Sequence, residues 1–319
     1  MLRFFVFTFL LCTGLAQAAS PTVLQRPIDL PVDNGAGQLH GTLLLPSSSH
    51  PVPVVLIISG SGPTDRDGNN VDGGKTDDLK RLAILLARNN IASVRYDKRG
   101  VASGLEVTPD ERNLSVEAYA ADAAAWSRQL KKDPRLGPLI LLGHSEGALI
   151  ATLAAPQAGA SAVISLAGSG RPVDQVLREQ IQAHLPPALV KRSDQIIDRL
   201  KAGQFEPDVP PPLQVIFRPS VQPYLISLFR QDPARAFAQL KMAALIVQGR
   251  NDMQVGVEDA QALEKAKPDA QLVLIDGMNH VLRIVAPDVK AQLASYQNPE
   301  LPLAEELGRV LVKFIHSVN

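Results

Sequence analysis

One stretch of the sequence decides the fold: residues 139–148 read L-I-L-L-G-H-S-E-G-A. The apolar run Leu139–Leu142 predicts a buried strand, and Ala148–Ala155 predicts a helix that Pro156 ends. The two glycines of the stretch lack a Cβ atom, so strand and helix can approach closely while the residue between them takes a strained conformation. The stretch therefore predicts a strand-turn-helix unit of a parallel α/β sheet.

Strands and helices alternate on both sides of this unit. The alternation predicts βαβ units with right-handed crossovers, and thus a mostly parallel sheet flanked by helices. The opening strands Thr22–Leu30 and Leu39–Leu45 are predicted to pair through a turn at residues 33–35. The other predicted strands are Val52–Ile58, Ile91–Tyr96, Ala162–Leu166, Ala244–Gln248 and Leu272–Ile275, and the other predicted helices are Asp77–Asn89, Ser115–Lys132, Val257–Lys265 and Leu303–Ile315.

The alternation stops between Gly170 and Leu240. Three helices, Val173–Leu185, Leu189–Leu200 and Pro233–Lys241, are predicted there, separated by proline-rich linkers. We interpret residues 170–241 as an inserted helical cap, with the core formed by residues 20–169 and 242–319. The alternative is a pair of surface helices joined by a disordered linker.

Composition and charge exclude several classes of protein. The 319 residues are 45% hydrophobic, which is typical of a packed domain and not of a disordered chain. Lys and Arg number 32 and Asp and Glu also number 32, so the formal net charge is zero. A protein that binds nucleic acid through its phosphates, or a membrane through its charge, would carry an excess of basic residues. This sequence has no such excess, which argues against both classes.

The first 19 residues have the pattern of a secretory signal peptide. Arg3 supplies a positive charge, an apolar run follows, and Ala16-Gln17-Ala18 offers small residues where a signal peptidase cleaves. We expect cleavage after Ala18 or Ala19 and an exported protein, periplasmic or secreted. The single cysteine, Cys12, lies in this segment, so the mature chain would have no disulfide and no thiolate. No later run is long enough to predict a transmembrane helix.

Ser145 is the candidate nucleophile, because G-x-S-x-G at a strand-to-helix turn is the nucleophile-elbow motif. A serine hydroxyl needs a neighbouring base, and His280 follows a predicted strand at its carboxyl end, where catalytic groups collect. His184 and His316 lie on predicted helices and are expected at the surface. His144 should point away from the nucleophile and pack or hydrogen-bond beneath the elbow.

The base in turn needs an acid to orient it, and Asp252 follows the strand Ala244–Gln248 in the same way. Glu258 and Asp259 begin the next helix, where acidic residues interact favourably with the helix dipole. Asp276 is very close to His280 in sequence, although a turn could bring the two side chains together. Asp252 is therefore the first choice.

Two backbone N–H groups are expected to stabilise the oxyanion: that of Glu146, directly after the nucleophile, and that of Ser61. Ser61 lies in the loop Ser59–Pro63, whose glycines permit the necessary turn. A phosphate-binding glycine loop is not indicated, because neither a third glycine nor Gly-Lys-Ser/Thr follows.

Four oxygen-bearing residues follow this loop in a spacing reminiscent of a calcium site: Asp65, Asp67, Asn69 and Asp72. In the EF-hand register the sixth position would be Asn70 instead of glycine and the twelfth Thr76 instead of glutamate. We therefore expect no metal, and expect Asp65, Arg66 and Asp67 to pair locally and hold the oxyanion loop in shape.

These motifs together resemble the α/β-hydrolase superfamily. The residues that carry the resemblance are the stretch 143–147, the late Asp252 and His280, and R-Y-D-K-R-G at 95–100. The loop G-S-G-P-T-D-R-D-G at 60–68 is similar to that of a branch of bacterial carboxylesterases near the serine-aminopeptidase-like and dienelactone-hydrolase-like hydrolases. Ser59 stands where many relatives have histidine. The resemblance implies a cofactor-independent serine hydrolase with an α/β-hydrolase fold.

The sequence thus predicts a serine esterase acting on a small-molecule ester, with Ser145, Asp252 and His280 as the catalytic triad. One alternative is a peptidase that releases N-terminal residues, in which Glu146 or the Asp65–Asp67 loop would hold the substrate amine. The other alternative is a non-catalytic binding protein that has kept the hydrolase fold.

Overall fold

A computed structural model of the protein describes residues 22–32, 37–71 and 73–318. The predicted signal peptide, Cys12, the predicted turn at 33–35 and Asp72 lie outside the described residues. The strands are β1 (Val23–Pro31), β2 (Gln38–Pro46), β3 (Val52–Ile58), β4 (Ala92–Tyr96), β5 (Leu136–His144), β6 (Ala162–Leu166), β7 (Ala243–Gly249) and β8 (Gln271–Ile275). The helices are α1 (Asp78–Arg88), α2 (Val116–Leu130), α3 (Glu146–Ala158), α4 (Val173–His184), α5 (Pro187–Lys201), α6 (Gln214–Phe217), α7 (Gln222–Phe229), α8 (Pro233–Ala238), α9 (Val257–Ala266), α10 (Val289–Ser295) and α11 (Glu305–Ser317).

The strands form one eight-stranded sheet in the order β1-β2-β4-β3-β5-β6-β7-β8. β1 and β2 run antiparallel to their neighbours, and the pairs from β4–β3 to β7–β8 are parallel. Apolar side chains of the strands alternate between two hydrophobic clusters. One includes Leu56, Leu141 and Ile150, and the other includes Ile57, Leu142 and Leu82. The central strands are therefore buried on both faces, as their continuous apolar sequences predict.

The predicted mostly parallel sheet flanked by helices is confirmed. β3 and β6 have the predicted bounds, and Ser115 caps α2 by accepting a hydrogen bond from the backbone N–H of Ala118 at 3.1 Å. One prediction is wrong: Pro156 lies inside α3 and does not end it. A proline near the end of a helix forfeits few backbone hydrogen bonds, and the helix ends instead at Gly159, whose φ of 59° closes the last turn.

Helices α4 to α8 lie between β6 and β7 in the chain, where the sequence predicts the cap. Two of them, α6 and α7, were not predicted, because the prolines that flank α6 and the proline within α7 obscure the helical periodicity. The apolar side chains of this segment form a third hydrophobic cluster, which includes Ile196, Leu213, Phe217 and Phe229. The cap boundaries at residues 170 and 241 stay a prediction.

Candidate active site

Ser145 lies on the turn between β5 and α3, with φ 56° and ψ −124°. This strained conformation is enforced by close backbone packing. A Cβ atom on Gly143 would lie 1.9 Å from the carbonyl oxygen of Gly147, and one on Gly147 would lie 2.3 Å from that of Ile58. Both positions therefore require glycine. The backbone N–H of Ser145 is held by the carbonyl of Leu166 at 2.9 Å, which ties the turn to the neighbouring strand β6.

His280 and Asp252 meet at the carboxyl end of the sheet, each on the loop after its strand. Nδ1 of His280 lies 2.8 Å from Oδ2 of Asp252. The other carboxylate oxygen of Asp252 accepts the backbone N–H groups of Gln254 and Val255 at 2.8 and 3.0 Å. The hydrogen bond places the ring proton on Nδ1, so Nε2 is left as the basic nitrogen.

Asp252 remains a carboxylate although its side chain is fully buried. Burial alone would raise its pKa. The positive charge that His280 can carry, the hydrogen bond from that ring and the two backbone N–H groups together lower the pKa of Asp252 below its ordinary value. The acid therefore stays ionised at neutral pH and can accept the hydrogen bond from Nδ1 of His280.

His144 lies beneath this pair and fixes the loop that carries His280. Its Nε2 donates to the carbonyl oxygen of His280 at 2.9 Å, and the two imidazole rings lie 4.9 Å apart. Burial lowers the pKa of His144 to about 3, so its ring is neutral. Ser145 and His280 both line a cavity of about 240 Å³ at the end of the sheet. The three residues chosen from the sequence are thus brought to one place.

The rival residues lie elsewhere. Asp276 is exposed and forms an ion pair with Arg250 at 2.8 Å. Asp259 is buried at the start of α9, where it accepts hydrogen bonds from Ser169 and the backbone of Gly170. Glu258 is largely exposed. His184 and His316 bond to backbone carbonyls of Gln180 and Asn89 on the helical surface.

The loop after β3 passes over the nucleophile. A Cβ atom on Gly60 would lie 3.2 Å from the Cβ atom of Ser145. Ser61 lines the same cavity as Ser145, and its carbonyl accepts the hydroxyl of Thr64 at 2.8 Å. Glu146 is the first residue of α3, so its backbone N–H has no acceptor within the helix. Gly60 and Glu146 therefore lie next to Ser145, and the N–H groups of Ser61 and Glu146 as oxyanion donors stay a prediction.

The segment Asp65–Asp67 holds this loop by contacts that the sequence did not predict. In the part of the chain that the structure describes, Arg66 forms no ion pair with Asp65 or Asp67, so the expected local pairing is wrong. Arg66 binds Asp97 at 2.7 Å and Asp67 accepts from Arg95 at 2.9 Å, so both join the loop to β4 and the residue after it. Asp65 accepts the backbone N–H groups of Asp67 and Asn69. Arg66 and Asp67 therefore form their ion pairs with residues in and directly after β4, which are distant in sequence. In the described residues, no group of three or more His, Cys, Asp or Glu side chains could hold a metal ion.

Lys98 is a site residue that the sequence analysis did not identify. Its side chain is buried, and Nζ donates to the carbonyl of Gly60 and lies 3.5 Å from that of Ser59. The ammonium group also lies 5.3 Å from the centre of the Tyr119 ring. Burial lowers the pKa of Lys98, and the nearby Glu146 carboxylate opposes that shift. The sequence does contain a signal for this residue: Lys98 belongs to R-Y-D-K-R-G at 95–100 and follows the end of β4.

Lys98→Met is expected to lower kcat for short esters about 10²-fold. The carbonyl of Gly60 loses its hydrogen-bond partner in this variant. The N–H of Ser61 belongs to the same peptide group, so it would no longer point at the predicted oxyanion. KM should change much less than kcat. Lys267→Met is the matched control, since Lys267 is another buried lysine that bonds to a carbonyl, that of Leu240 at 3.2 Å. Steady-state kinetics and thermal unfolding of both variants check the prediction. An equal loss of activity in the two variants would contradict it.

A second, larger cavity of about 700 Å³ also reaches Ser145. It is bordered by α6 and α7 and is lined mainly by aliphatic and aromatic side chains, among them Leu114, Val221, Tyr224, Leu225 and Leu228. Glu146 and Lys98 also line it. Ser145, the candidate nucleophile, thus stands where two cavities meet.

Comparison with known proteins agrees with this fold. The family model described as the alpha/beta hydrolase family matches residues 54–293. The chain belongs to the alpha/beta hydrolase family. The sequence of this alpha/beta hydrolase is 26% identical over 285 residues to that of esterase EstD of Thermotoga maritima. That match covers 86% of this chain and 66% of EstD, so the chain spans slightly less than two thirds of the relative's length.

Solved structures share the alpha/beta hydrolase fold. Est1E from Butyrivibrio proteoclasticus superposes with a TM-score of 0.57 and 17% identity, over 91% of this chain and 99% of Est1E. The alpha/beta hydrolase GrgF from Penicillium sp. sh18 superposes with a TM-score of 0.59 and 17% identity, over 92% of this chain and 99% of GrgF. Among the described residues, no helix is long and apolar enough to cross a membrane.

Proposed function

We propose that the protein is a serine hydrolase that cleaves carboxylic esters through an acyl-enzyme. The observation that carries this proposal is the 2.8 Å contact of His280 Nδ1 with the buried Asp252 carboxylate, at a cavity that Ser145 also lines. The esterase relative EstD and the loop at 60–68 support a place among bacterial carboxylesterases.

In the first half of the proposed reaction, Ser145 Oγ forms a bond to the ester carbonyl carbon while its proton passes to Nε2 of His280. The N–H groups of Ser61 and Glu146 stabilise the negative charge that develops on the carbonyl oxygen. The bond to the alcohol oxygen then breaks, and His280 returns the proton to that oxygen. The alcohol leaves, and the acyl group stays on Ser145.

In the second half, a water molecule takes the place of the alcohol. His280 accepts a proton from the water as its oxygen attacks the acyl carbonyl, and then gives that proton to Ser145 Oγ as the acyl bond breaks. The products are a carboxylic acid and the free enzyme. The ionised Asp252 stabilises the positive charge that His280 carries between the two transfers.

Two measurements on the intact protein test the proposal. A fluorophosphonate probe should label the protein, because only an activated serine attacks it. Amino-acid p-nitroanilides are the substrates that would reveal aminopeptidase activity. We expect kcat/KM for p-nitrophenyl butyrate to be at least about 10²-fold higher than kcat/KM for these anilides. Faster cleavage of the anilides would favour the peptidase. An unlabelled, inactive protein would favour the non-catalytic alternative.

A further inference from the structure

The two cavities that meet at Ser145 differ in chemistry. The small one is polar: apart from four glycines and Val281, every residue that lines it has a side chain able to form hydrogen bonds. The large one, bordered by α6 and α7, is lined mainly by aliphatic and aromatic side chains. An ester has two sides, so each cavity is suited to a different side of the substrate.

The position of His280 decides which side enters which cavity. In the proposed reaction His280 must protonate the leaving alcohol oxygen, so the alcohol has to lie against its ring. His280 lines the small cavity and is not among the residues that line the large one. The alcohol is therefore directed into the small cavity, which leaves the large apolar cavity for the acyl chain.

The small cavity is built to accept hydroxyl groups. Asp78 is buried there, and its Oδ1 accepts the hydroxyl of Thr76 at 3.1 Å and the backbone N–H of Leu79 at 2.8 Å. The described part of the chain supplies no donor to its Oδ2. Burial raises the pKa of Asp78 to about 6, so at pH 7.5 the group is mainly a carboxylate and accepts hydrogen bonds.

Tyr296 provides a donor to complement this acceptor. Its hydroxyl oxygen accepts Nε2 of Gln254 at 2.7 Å, so the phenolic proton remains available for another partner. Burial raises the pKa of Tyr296 to about 12, and the group therefore keeps that proton at neutral pH. A volume of about 240 Å³ is below the range of typical ligand pockets and suits a group of only a few heavy atoms.

We infer that the small cavity is the alcohol subsite and selects esters of small polyhydroxylated alcohols, with Asp78 and Tyr296 as the specificity-determining residues. The inference rests on the proposed esterase function. A simple alkyl alcohol would displace water from this cavity without replacing the hydrogen bonds that water made to Asp78 and Tyr296. The loss of these hydrogen bonds weakens binding of the transition state.

The test compares two esters of one acid, 1-glyceryl hexanoate and propyl hexanoate, by titration of the released acid at pH 7.5. Both esters give the same acyl-enzyme, so any difference in kcat/KM arises before the alcohol leaves. We expect the glyceryl ester to be preferred about tenfold. Asp78→Asn and Tyr296→Phe should each reduce this preference at least about threefold, as expected when one hydrogen bond is lost.

Val215→Trp is the matched control on the other side of the site. Val215 is exposed and lines the large cavity, so the substitution should shift the preferred acyl chain to shorter lengths and leave the glyceryl-to-propyl ratio as it was. Tyr296→Phe keeps the test decisive if Asp78→Asn fails to fold.

Equal rates for the two esters, or a preference that neither substitution changes, would overturn the inference. So would a change in the glyceryl-to-propyl ratio that followed Val215→Trp alone. In each of these cases, labelling by the fluorophosphonate probe and hydrolysis of p-nitrophenyl hexanoate would leave the esterase proposal in place. Absence of both labelling and ester hydrolysis would overturn the esterase proposal itself.

Discussion

Ester hydrolysis is expected to fall by about 10⁴-fold or more when Ser145 is replaced by alanine, because the substitution removes the hydroxyl that forms the acyl-enzyme in the proposed reaction. The backbone at this position has a positive φ of 56°, and alanine has the same Cβ atom as serine, so the strain of the turn is not increased. The fold should therefore survive. kcat/KM for p-nitrophenyl butyrate, probe labelling and the thermal unfolding midpoint are the measurements.

Ser93→Ala is the control for this variant. Ser93 is a buried serine on β4, and its hydroxyl has no hydrogen-bond partner in the described structure. Removing that hydroxyl should leave hydrolysis unchanged and have little effect on unfolding. Hydrolysis by Ser145→Ala at the rate of the unmodified protein, with both variants folded, would contradict the assignment of the nucleophile.

Asp252→Asn should reduce kcat about 10⁴-fold, as for the equivalent change in other Ser-His-Asp enzymes. The asparagine amide can donate to Nδ1 of His280, which would move the ring proton to Nε2 and leave that nitrogen unable to accept the serine proton. The variant also lacks the negative charge that stabilises protonated His280. Since asparagine is nearly isosteric with aspartate, the geometry of the loop should change little.

Asp276→Asn is the matched control for this substitution. Asp276 lies four residues before His280, but its carboxylate is exposed and paired with Arg250. Its loss should leave kcat within about twofold of the unmodified protein, as is usual for exposed ion pairs. If Asp276→Asn proved the more damaging of the two, Asp252 would not be the acid that orients His280.

The strands of the sheet were predictable because each buried strand is a continuous apolar run, and β3 and β6 begin and end where the sequence indicates. The end of α3 was not predictable from Pro156, because packing of the helix against the sheet outweighs the local preference of one proline. Helices α6 and α7 were missed for a similar reason. The prolines in α7 and on both sides of α6 suggest loops, and burial of Phe217 and Phe229 in the third hydrophobic cluster stabilises the two segments as helices.

The site was partly predictable for a different reason. The carboxyl ends of parallel strands lie along one edge of a sheet, so residues that follow β5, β7 and β8 are brought together wherever they stand in the sequence. Position after these strands, together with the G-x-S-x-G motif, therefore singled out Ser145, Asp252 and His280. It could not show that Lys98 holds the carbonyl of Gly60, since nothing local to either residue indicates that contact.

The amino-acid sequence by itself determined the alternation of strands and helices, the turn at Ser145 and the order of the chemical groups along the chain. Those features depend on apolar periodicity and on glycine, which act over a few residues. Only the tertiary structure decided which charged groups support the loop after β3, and that a small polar cavity and a large apolar one meet at Ser145. Such features arise from segments far apart in the chain, whose contacts exist only after the sheet and the cap have packed.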